Sequence, residues 1–407
     1  MNVPKIRFKE FKENWDNPII DSIFELRNGY TPSKSIKEYW ENGTIPWYRM
    51  EDIRAKGNIL SEAFQYITPL AIKGSGLFKP YSIILATTAT IGVHAMVIAD
   101  SLANQQFTNF SIRKSLLNKY MPEFVNYAFY KIDRWSEKNT NSGGLLSVDV
   151  KSLLKEPFYT PYYNEQQKIA SYFQSLDSLI QTISKKLASL KQIKAASLQS
   201  MFPQKGETVP KVRFKGFEGK WKNLTLGEIG KWSKGRLLSK SDLTADGKNP
   251  CIHYGELFVN YSEVINEVES YTNVDNGCYS EIGDILFPDS DVTATGLARC
   301  SAIMQNGVIL GGGINILKVD KKFYSPYISY SINQEKGQII SRVIGTTVRH
   351  INSTALSEVQ IAVPSDIKEQ QQIANYFTCL DKQITLQAQR LEKLKQIKAA
   401  CLDKMFV

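Results

Sequence analysis

The chain is one unit of roughly 205 residues used twice, and this duplication limits its possible architectures more than any other feature. VPKIRFKEFKENW at 3–15 returns as VPKVRFKGFEGKW at 209–221, identical at eight of thirteen positions. NEQQKIASYFQSLDSLIQTISKKLASLKQIKAASLQSMF at 164–202 returns as KEQQQIANYFTCLDKQITLQAQRLEKLKQIKAACLDKMF at 368–406, with 21 of 39 positions identical. Between these blocks the likeness thins to echoes: IPWYRMEDI at 45–53 beside NPCIHYGEL at 249–257, and YSIILATTATIG beside GDILFPDSDVTATG. A frame kept twice around diverged contents suits two readers of different targets. Drift of loops around a packed core would leave the same unevenness, and at this level both readings stand.

The long repeated block reads as helix. Ile169, Phe173, Leu176, Ile180, Ile183, Leu187 and Leu190 alternate steps of four and three, the seam of a coiled coil. Ile373, Phe377, Leu380, Ile384, Leu391 and Leu394 keep the same phase, with Gln387 where the first helix has Ile183. Both then step by three to Ile193 and Ile397, which predicts a shared change of packing at that level. Pro161 and Pro364 stand just upstream, and Asp366-x-x-Glu369 resembles a capping box. At 1.5 Å per residue such a helix is about 58 Å long. So long and narrow an apolar stripe needs a partner, either the twin helix running antiparallel or a separate subunit.

The regions between look mixed. YSIILATTATIGVHAMVIA and NGVILGGGINILKVD suggest strands, while PEFVNYAFYKIDRWSEK and SPYISYSINQEKGQII suggest amphipathic helices. The expected fold class is therefore α+β: two mixed α/β domains separated by two long helices in an antiparallel coiled coil, with a pseudo-two-fold internal repeat. The expected segments are a first domain at 1–163, a helix at 164–202, a linker at 203–208, a second domain at 209–367 and a second helix at 368–407.

A net charge of +10 favours a polyanionic partner, because Lys and Arg release counterions from phosphates. Both halves are basic: residues 1–202 carry 25 Lys and Arg against 18 Asp and Glu, and the rest carry 25 against 22. No stretch approaches the roughly 20 apolar residues a membrane span needs, and the opening residues lack an apolar signal region. A cytoplasmic location is expected, with no membrane partner. Five cysteines without a CxxC pair fit a reducing compartment.

Chemistry-bearing motifs are sparse. The Gly-Lys pairs at 219, 230 and 247 are followed by Trp, Trp and Asn rather than Ser or Thr, so no phosphate-binding Walker segment exists. The glycines at 311–313 suit a tight turn better than a dinucleotide fingerprint. Asp366 and Lys368 form a DxK triplet at a helix opening, where a cap explains them better than a nuclease site. Cys251, His253, Cys278 and Cys300 have spacings unlike a zinc finger or ribbon, so no metal is expected. His94, His253 and His350 lie far apart without a nucleophile motif.

The order of parts, the EQQxIAxYF openings at 165 and 369, the LKQIKAA segments and the MF at both helix ends resemble the specificity subunit of type I restriction-modification enzymes. The resemblance covers essentially the whole chain. It implies that each variable region is a target recognition domain reading half of an asymmetric bipartite double-stranded DNA sequence. The helices would set the spacer and dock two methyltransferase subunits, through which motor and endonuclease subunits attach. It further implies that this chain binds no cofactor and catalyses nothing. S-adenosylmethionine, ATP and Mg would sit on the partners, which methylate adenine and cut DNA. No proline here adjoins another, so the Asn/Asp-Pro-Pro motif of adenine methylation is absent. A stand-alone DNA-binding scaffold and a fused enzyme remain the other readings.

Base readout favours Arg or Lys for guanine and Asn or Gln for adenine. The first domain offers Arg49, Asn104, Gln105, Gln106 and the TNSGG loop with Ser142 and Gly143. The second offers Lys240, His253, Arg299, Arg342, Thr346, Thr347 and Arg349. For any single one of these, solvated surface or a structural hydrogen bond is the more common role of such a residue.

Overall fold

The computed structural model describes residues 3–74, 76–141, 144 and 146–407. These fold as two compact units, one of residues 1–183 with 390–407 and one of residues 184–389. The units cut across the segments drawn from sequence, since each contains one mixed domain and a piece of both long helices.

The first unit carries strands β1 (Phe24–Asn28), β2 (Ile45–Tyr48), β3 (Ile59–Leu60), β4 (Gln65–Ile67), β5 (Ser82–Ala86), β6 (His94–Val97), β7 (Leu102–Ala103) and β8 (Phe107–Ile112). They form a five-stranded sheet in the order β1-β8-β5-β6-β3 and a smaller one in the order β4-β2-β7. The period of two along β5 explains the layering. Ile83 and Leu85 face a cluster with Phe124, Val125 and Phe129 of helix Pro122–Lys138, while Ile84 and Ala86 face Trp47, Tyr48 and Phe107. Because both faces of β5 are covered, it reads as an unbroken apolar run.

The second unit repeats this plan. Gly230–Lys234, Asn249–Ile252, Val264–Ile265, Ser270–Thr272, Asp284–Pro288, Ser301–Ile303, Ile309–Leu310 and Ile314–Val319 take the places of β1 to β8 in both sheet orders. An added strand, Cys278–Tyr279, lies beside Ile309–Leu310. The echoes at 45–53 and 249–257 thus mark equivalent strands. The segment SPYISYSINQEKGQII differs from its expected single helix. It breaks into Ser325–Ile332 and Lys336–Ile340, with Glu335 outside helical dihedrals between them, and at the end of the first helix the Asn333 side chain accepts from Cys300 N–H and donates to Cys300 O, at 3.2 and 2.9 Å.

The long helices span Tyr163–Met201 and Ile367–Lys404. Within the first unit they run antiparallel, with Asp177 Oδ1 2.5 Å from Lys398 Nζ and Tyr172 Oη 3.4 Å from Cys401 Sγ. Within the second unit they do so again, with Lys194 Nζ 2.7 Å from Asp381 Oδ1 and Ser197 Oγ 2.9 Å from Tyr376 Oη. Of the seam residues, Ile169, Phe173, Leu176, Ile183, Leu190, Ile373, Phe377 and Leu380 are buried, and Ile180, Leu187, Ile384, Leu391 and Leu394 partly so. Gln387 is buried with them.

The expected step of three is corrected by the structure. Ile193 and Ile397 are 45% and 38% exposed, and the seam instead continues by a step of four to Lys194 and Lys398. The ammonium groups turn inward because carboxylates await them. Glu369 likewise does not fold back as a capping carboxylate. Its oxygens take two bonds from Arg213, and only Asp366 caps, accepting Lys368 N–H at 2.8 Å.

The EQQ openings also find a physical reason. Gln166 accepts Met121 N–H and donates to Lys119 O and Pro161 O, fastening its helix to the mixed domain. Gln370 accepts Tyr324 N–H and donates to Pro364 O in the second unit.

Candidate nucleic-acid interface

In the first unit one end of the two sheets gathers the loops after β1, β2, β5 and β7. Asn104 N–H donates to Tyr48 O, Tyr30 N–H to Ala103 O and Thr87 N–H to Gln106 O, which ties four loops into one edge. The expected readers Arg49, Asn104, Gln105 and Gln106 therefore come together. Arg49 lies 6.0 Å from the Trp47 ring centroid and 3.4 Å from Glu51, and buried Asp52 accepts its N–H. Asn104 and Gln106 bond to each other, the Asn104 amide donating to Gln106 Oε1 at 3.2 Å and its oxygen accepting the Gln106 backbone N–H at 3.1 Å. Gln105 instead accepts from Thr31 Oγ1 at 2.6 Å. Ser142 and Gly143 lie outside the described residues.

Sequence reasoning missed Thr31 and the Thr87–Thr90 turn at this edge. Ala89 there has φ of 65°, a left-handed conformation costly for a residue with a Cβ. Nothing in a Thr-Ala-Thr string announces such a turn.

The equivalent edge of the second unit brings together Lys240, His253, Thr346, Thr347 and Arg349. The hairpin from Ile344 to His350 presents exposed Thr346 and Thr347 at its tip. Arg349 pairs with Asp291 along the strand and donates to Val292 O at 2.7 Å, while His350 Nδ1 lies 3.0 Å from Ser290 Oγ. Burial pulls the His253 pKa below its ordinary 6.5, nearby Lys240 adds to this and Glu256 opposes it, so the ring is neutral near pH 7. Its Nδ1 accepts Gly255 N–H at 3.2 Å, which leaves Nε2–H as a donor.

Arg299 and Arg342 are not part of this edge's free donor set. Arg299 is half-buried and donates to Phe258 O and Tyr261 O at 2.5 and 2.8 Å. Arg342 donates to Gln338 O at 2.9 Å and lies 3.6 Å from Glu358. Residue type alone could not separate these anchoring arginines from readers. Missed here were Arg236 and Leu237, which follow the strand Gly230–Lys234; Leu237 and Leu238 have φ of 55° and 56°.

The glycines at 311–313 form the expected close turn, since a Cβ on Gly235 would stand 2.1 Å from Gly311 O. Burial pushes the Cys251 thiol up to about 11 and the Cys300 thiol up to about 12, which makes both poor ligands and nucleophiles at neutral pH. No group of three metal-ligating side chains occurs among the described residues. No helix there is long and apolar enough to cross a membrane.

The repeated plan, one mixed domain with an edge of polar loops in each unit, defines an internally duplicated recognition protein borne on a helix pair. The chain matches the family described as type I restriction modification DNA specificity domain over residues 12–192 and again over 218–396, and it belongs to that family. It is 43% identical over 136 residues to the type I restriction enzyme EcoprrI specificity subunit of Escherichia coli, covering 33% of this chain and 34% of that one. It is 33% identical over 209 residues to the MjaIX specificity subunit of Methanocaldococcus jannaschii, covering 47% and 46%. The matched stretches thus span only a third to a half of these relatives. In fold it resembles the type I restriction-modification S subunit from M. genitalium, with a TM-score of 0.68 and 15% identity over 100% of this chain and 99% of that one.

Proposed function

We propose that this chain is the DNA-reading, non-catalytic subunit of a type I restriction-modification complex, each mixed domain reading one half of a bipartite double-stranded target. One observation carries the reading: the same framework is built twice, while equivalent loop positions hold different chemistry. Thr31 and Asn104–Gln106 in one edge correspond to Leu237 and Gly311–Gly313 in the other. Base readout needs such differences, because adenine and guanine present different donors and acceptors in the major groove.

The long helices set the unspecified gap and dock two methyltransferase subunits, which bring S-adenosylmethionine and attach the ATP- and Mg-dependent motor and endonuclease subunits. Two copies of one partner suit two equivalent surfaces. Exposed Ile193 and Ile397, at matching places in the two helices, support this.

The deciding experiment replaces residues 16–163 with the same region of another family member and maps methylated adenines in cells. One half of the target should change and the other persist. An assembled hybrid that alters both halves overturns independent reading. Matched four-residue insertions after Ala188 and Glu392 should lengthen the gap by about one or two base pairs, from about 6 Å of added helix. Native mass measurement should give two methyltransferase subunits per chain.

A further inference from the structure

The two variable domains share a short loop that their divergence has spared. NGYTPSKS at 28–35 and KGRLLSKS at 234–241 agree only in Gly, Ser, Lys and Ser, at identical spacing. Both follow the first strand of their domain.

Their geometry agrees at the two ends. A Cβ on Gly29 would stand 2.2 Å from Asn104 O, and one on Gly235 would stand 2.1 Å from Gly311 O, so each loop begins pressed against the equivalent turn, which in the first unit bears Asn104, Gln105 and Gln106. Ser33 Oγ lies 2.7 Å from Ser35 Oγ, and Ser239 Oγ lies 2.7 Å from Ser241 Oγ. The outer supports differ. Trp40 Nε1–H donates to Ser33 O at 3.0 Å, whereas the Asp242 carboxylate accepts from Ser239 N–H and Oγ–H at 2.6 and 2.8 Å. Two unlike sets of neighbours hold the same Ser-Lys-Ser turn, closed by Ile36 N–H to Ser33 O and Asp242 N–H to Ser239 O, while the residues before it differ, Leu237 and Leu238 being left-handed where Thr31 and Pro32 are not.

Lys34 and Lys240, at the centre of each loop, are exposed, and neither forms an ion pair among the described residues. By contrast Lys234, a few residues before Lys240, is taken up by Asp289 at 2.8 Å. The Ser33–Ser35 pair, joined by one hydrogen bond, still has a hydroxyl proton to donate elsewhere, whereas Ser239 gives its proton to Asp242 and Ser241 gives its own to Ser239. Each loop thus offers an exposed ammonium group to an anion, and the first adds a hydroxyl donor.

We propose that the Gly-x3-Ser-Lys-Ser loops at 29–35 and 235–241 are phosphate clamps that hold the DNA backbone in the same way at both half-sites. The inference rests on the DNA-reading function proposed above. Two duplex segments of different sequence have in common only their sugar-phosphate backbone. A feature preserved in both readers fits that common part, and the divergent residues between Gly and Ser fit the base edges.

The test uses the full chain in complex with its methyltransferase and a labelled random-sequence duplex, titrated over a range of salt. K34Q and K240Q should each weaken binding and lower the slope of log K against log salt by about 0.9, the share of one phosphate contact. The methylated sequence should stay the same, and K34R and K240R should restore the slope. K114Q and K321Q, at exposed lysines beyond the opposite ends of the central strands, should leave it unchanged. Unchanged slopes in K34Q and K240Q while the wild type binds overturn the clamp alone. So does a change in the bases recognised. A wild-type complex that binds no duplex overturns the DNA-reading function and the clamp together.

Discussion

Arg213 lays two N–H groups on the Glu369 carboxylate, at 2.7 and 2.8 Å, where the second long helix leaves its mixed domain. Arg7 and Glu165 form the same fork in the first unit, at 2.7 Å on both bonds. The arginines come from the repeated VPKxRF blocks and the glutamates from the EQQ openings, so the most strongly repeated segments are those that lock domain to helix. With 2% exposure on each glutamate side chain, removing an arginine leaves a buried charge. R7A or R213A should destabilise its unit by about 3 kcal/mol, while the apolar pair R7M/E165L should lose much less. Chemical denaturation of the single and double variants checks this.

Lys194 bridges two carboxylates, 2.7 Å from Asp381 and 3.0 Å from Glu263. Burial alone would lower its pKa, but Glu263 and Asp381 outweigh that and raise it. Asp381 is raised as well, by burial first and by Glu263 second, because one cation is shared between two anions. A carboxyl whose folded pKa exceeds its unfolded one favours folding below the unfolded pKa and loses that contribution as pH rises through the folded value. K194M deepens this by removing the cation. The variant should be less stable by about 3 kcal/mol near neutral pH, and its deficit should shrink as pH falls from about 7 to about 5. A deficit that is flat with pH would point to lost packing instead.

The long helices, and the strands within YSIILATTATIGVHAMVIA and NGVILGGGINILKVD, were legible because burial leaves helical periodicity or unbroken apolar runs in the sequence. Rules that follow apolar residues go astray where a polar one does the packing. They stepped to Ile193 and Ile397 although Lys194 and Lys398 occupy the seam, and they ran one helix through Asn333, whose amide serves Cys300. At the candidate interface residue type pointed to Gln105 and His253. It could not show that Arg299 spends its donors on main-chain carbonyls, nor that Thr31 stands beside Gln105, 74 positions away. The Ser-Lys-Ser correspondence becomes apparent only when the strands preceding both loops are known to be equivalent.

Gly29 and Gly235 have no room for a methyl group, since a Cβ would stand 2.2 and 2.1 Å from backbone carbonyls that cannot rotate away. G29A and G235A should each cost about 1 to 3 kcal/mol and abolish methylation through the half-site read by the affected domain. Gly337 lies in open space within helix Lys336–Ile340, and G337A should raise stability by about 0.5 to 1 kcal/mol. Thermal melts of the three variants should diverge in sign.

The pairing of Thr31 with Gln105 gives the narrowest test of base reading. Asn104 and Gln106 bond to each other through Asn104 Nδ2 and Gln106 Oε1, whereas Gln105 is the amide of this turn whose oxygen is held by Thr31. The Thr31 hydroxyl donates to Gln105 Oε1 at 2.6 Å, which fixes which end of the amide is oxygen and leaves that oxygen a second lone pair. A glutamine reads adenine by accepting from N6 and donating to N7, so an amide held in one orientation discriminates better than one free to flip. T31V removes the hydroxyl at nearly constant volume. It should relax discrimination at one base pair of the first half-site by about 1 kcal/mol, or about fivefold, the usual worth of one hydrogen bond. T31S should keep it, and Q105A should lose about 1 to 3 kcal/mol at the same base pair. Methylation rates on targets altered one base at a time in each half would show the effect. Equal losses in both halves, or none in either, would remove Gln105 from the reading edge.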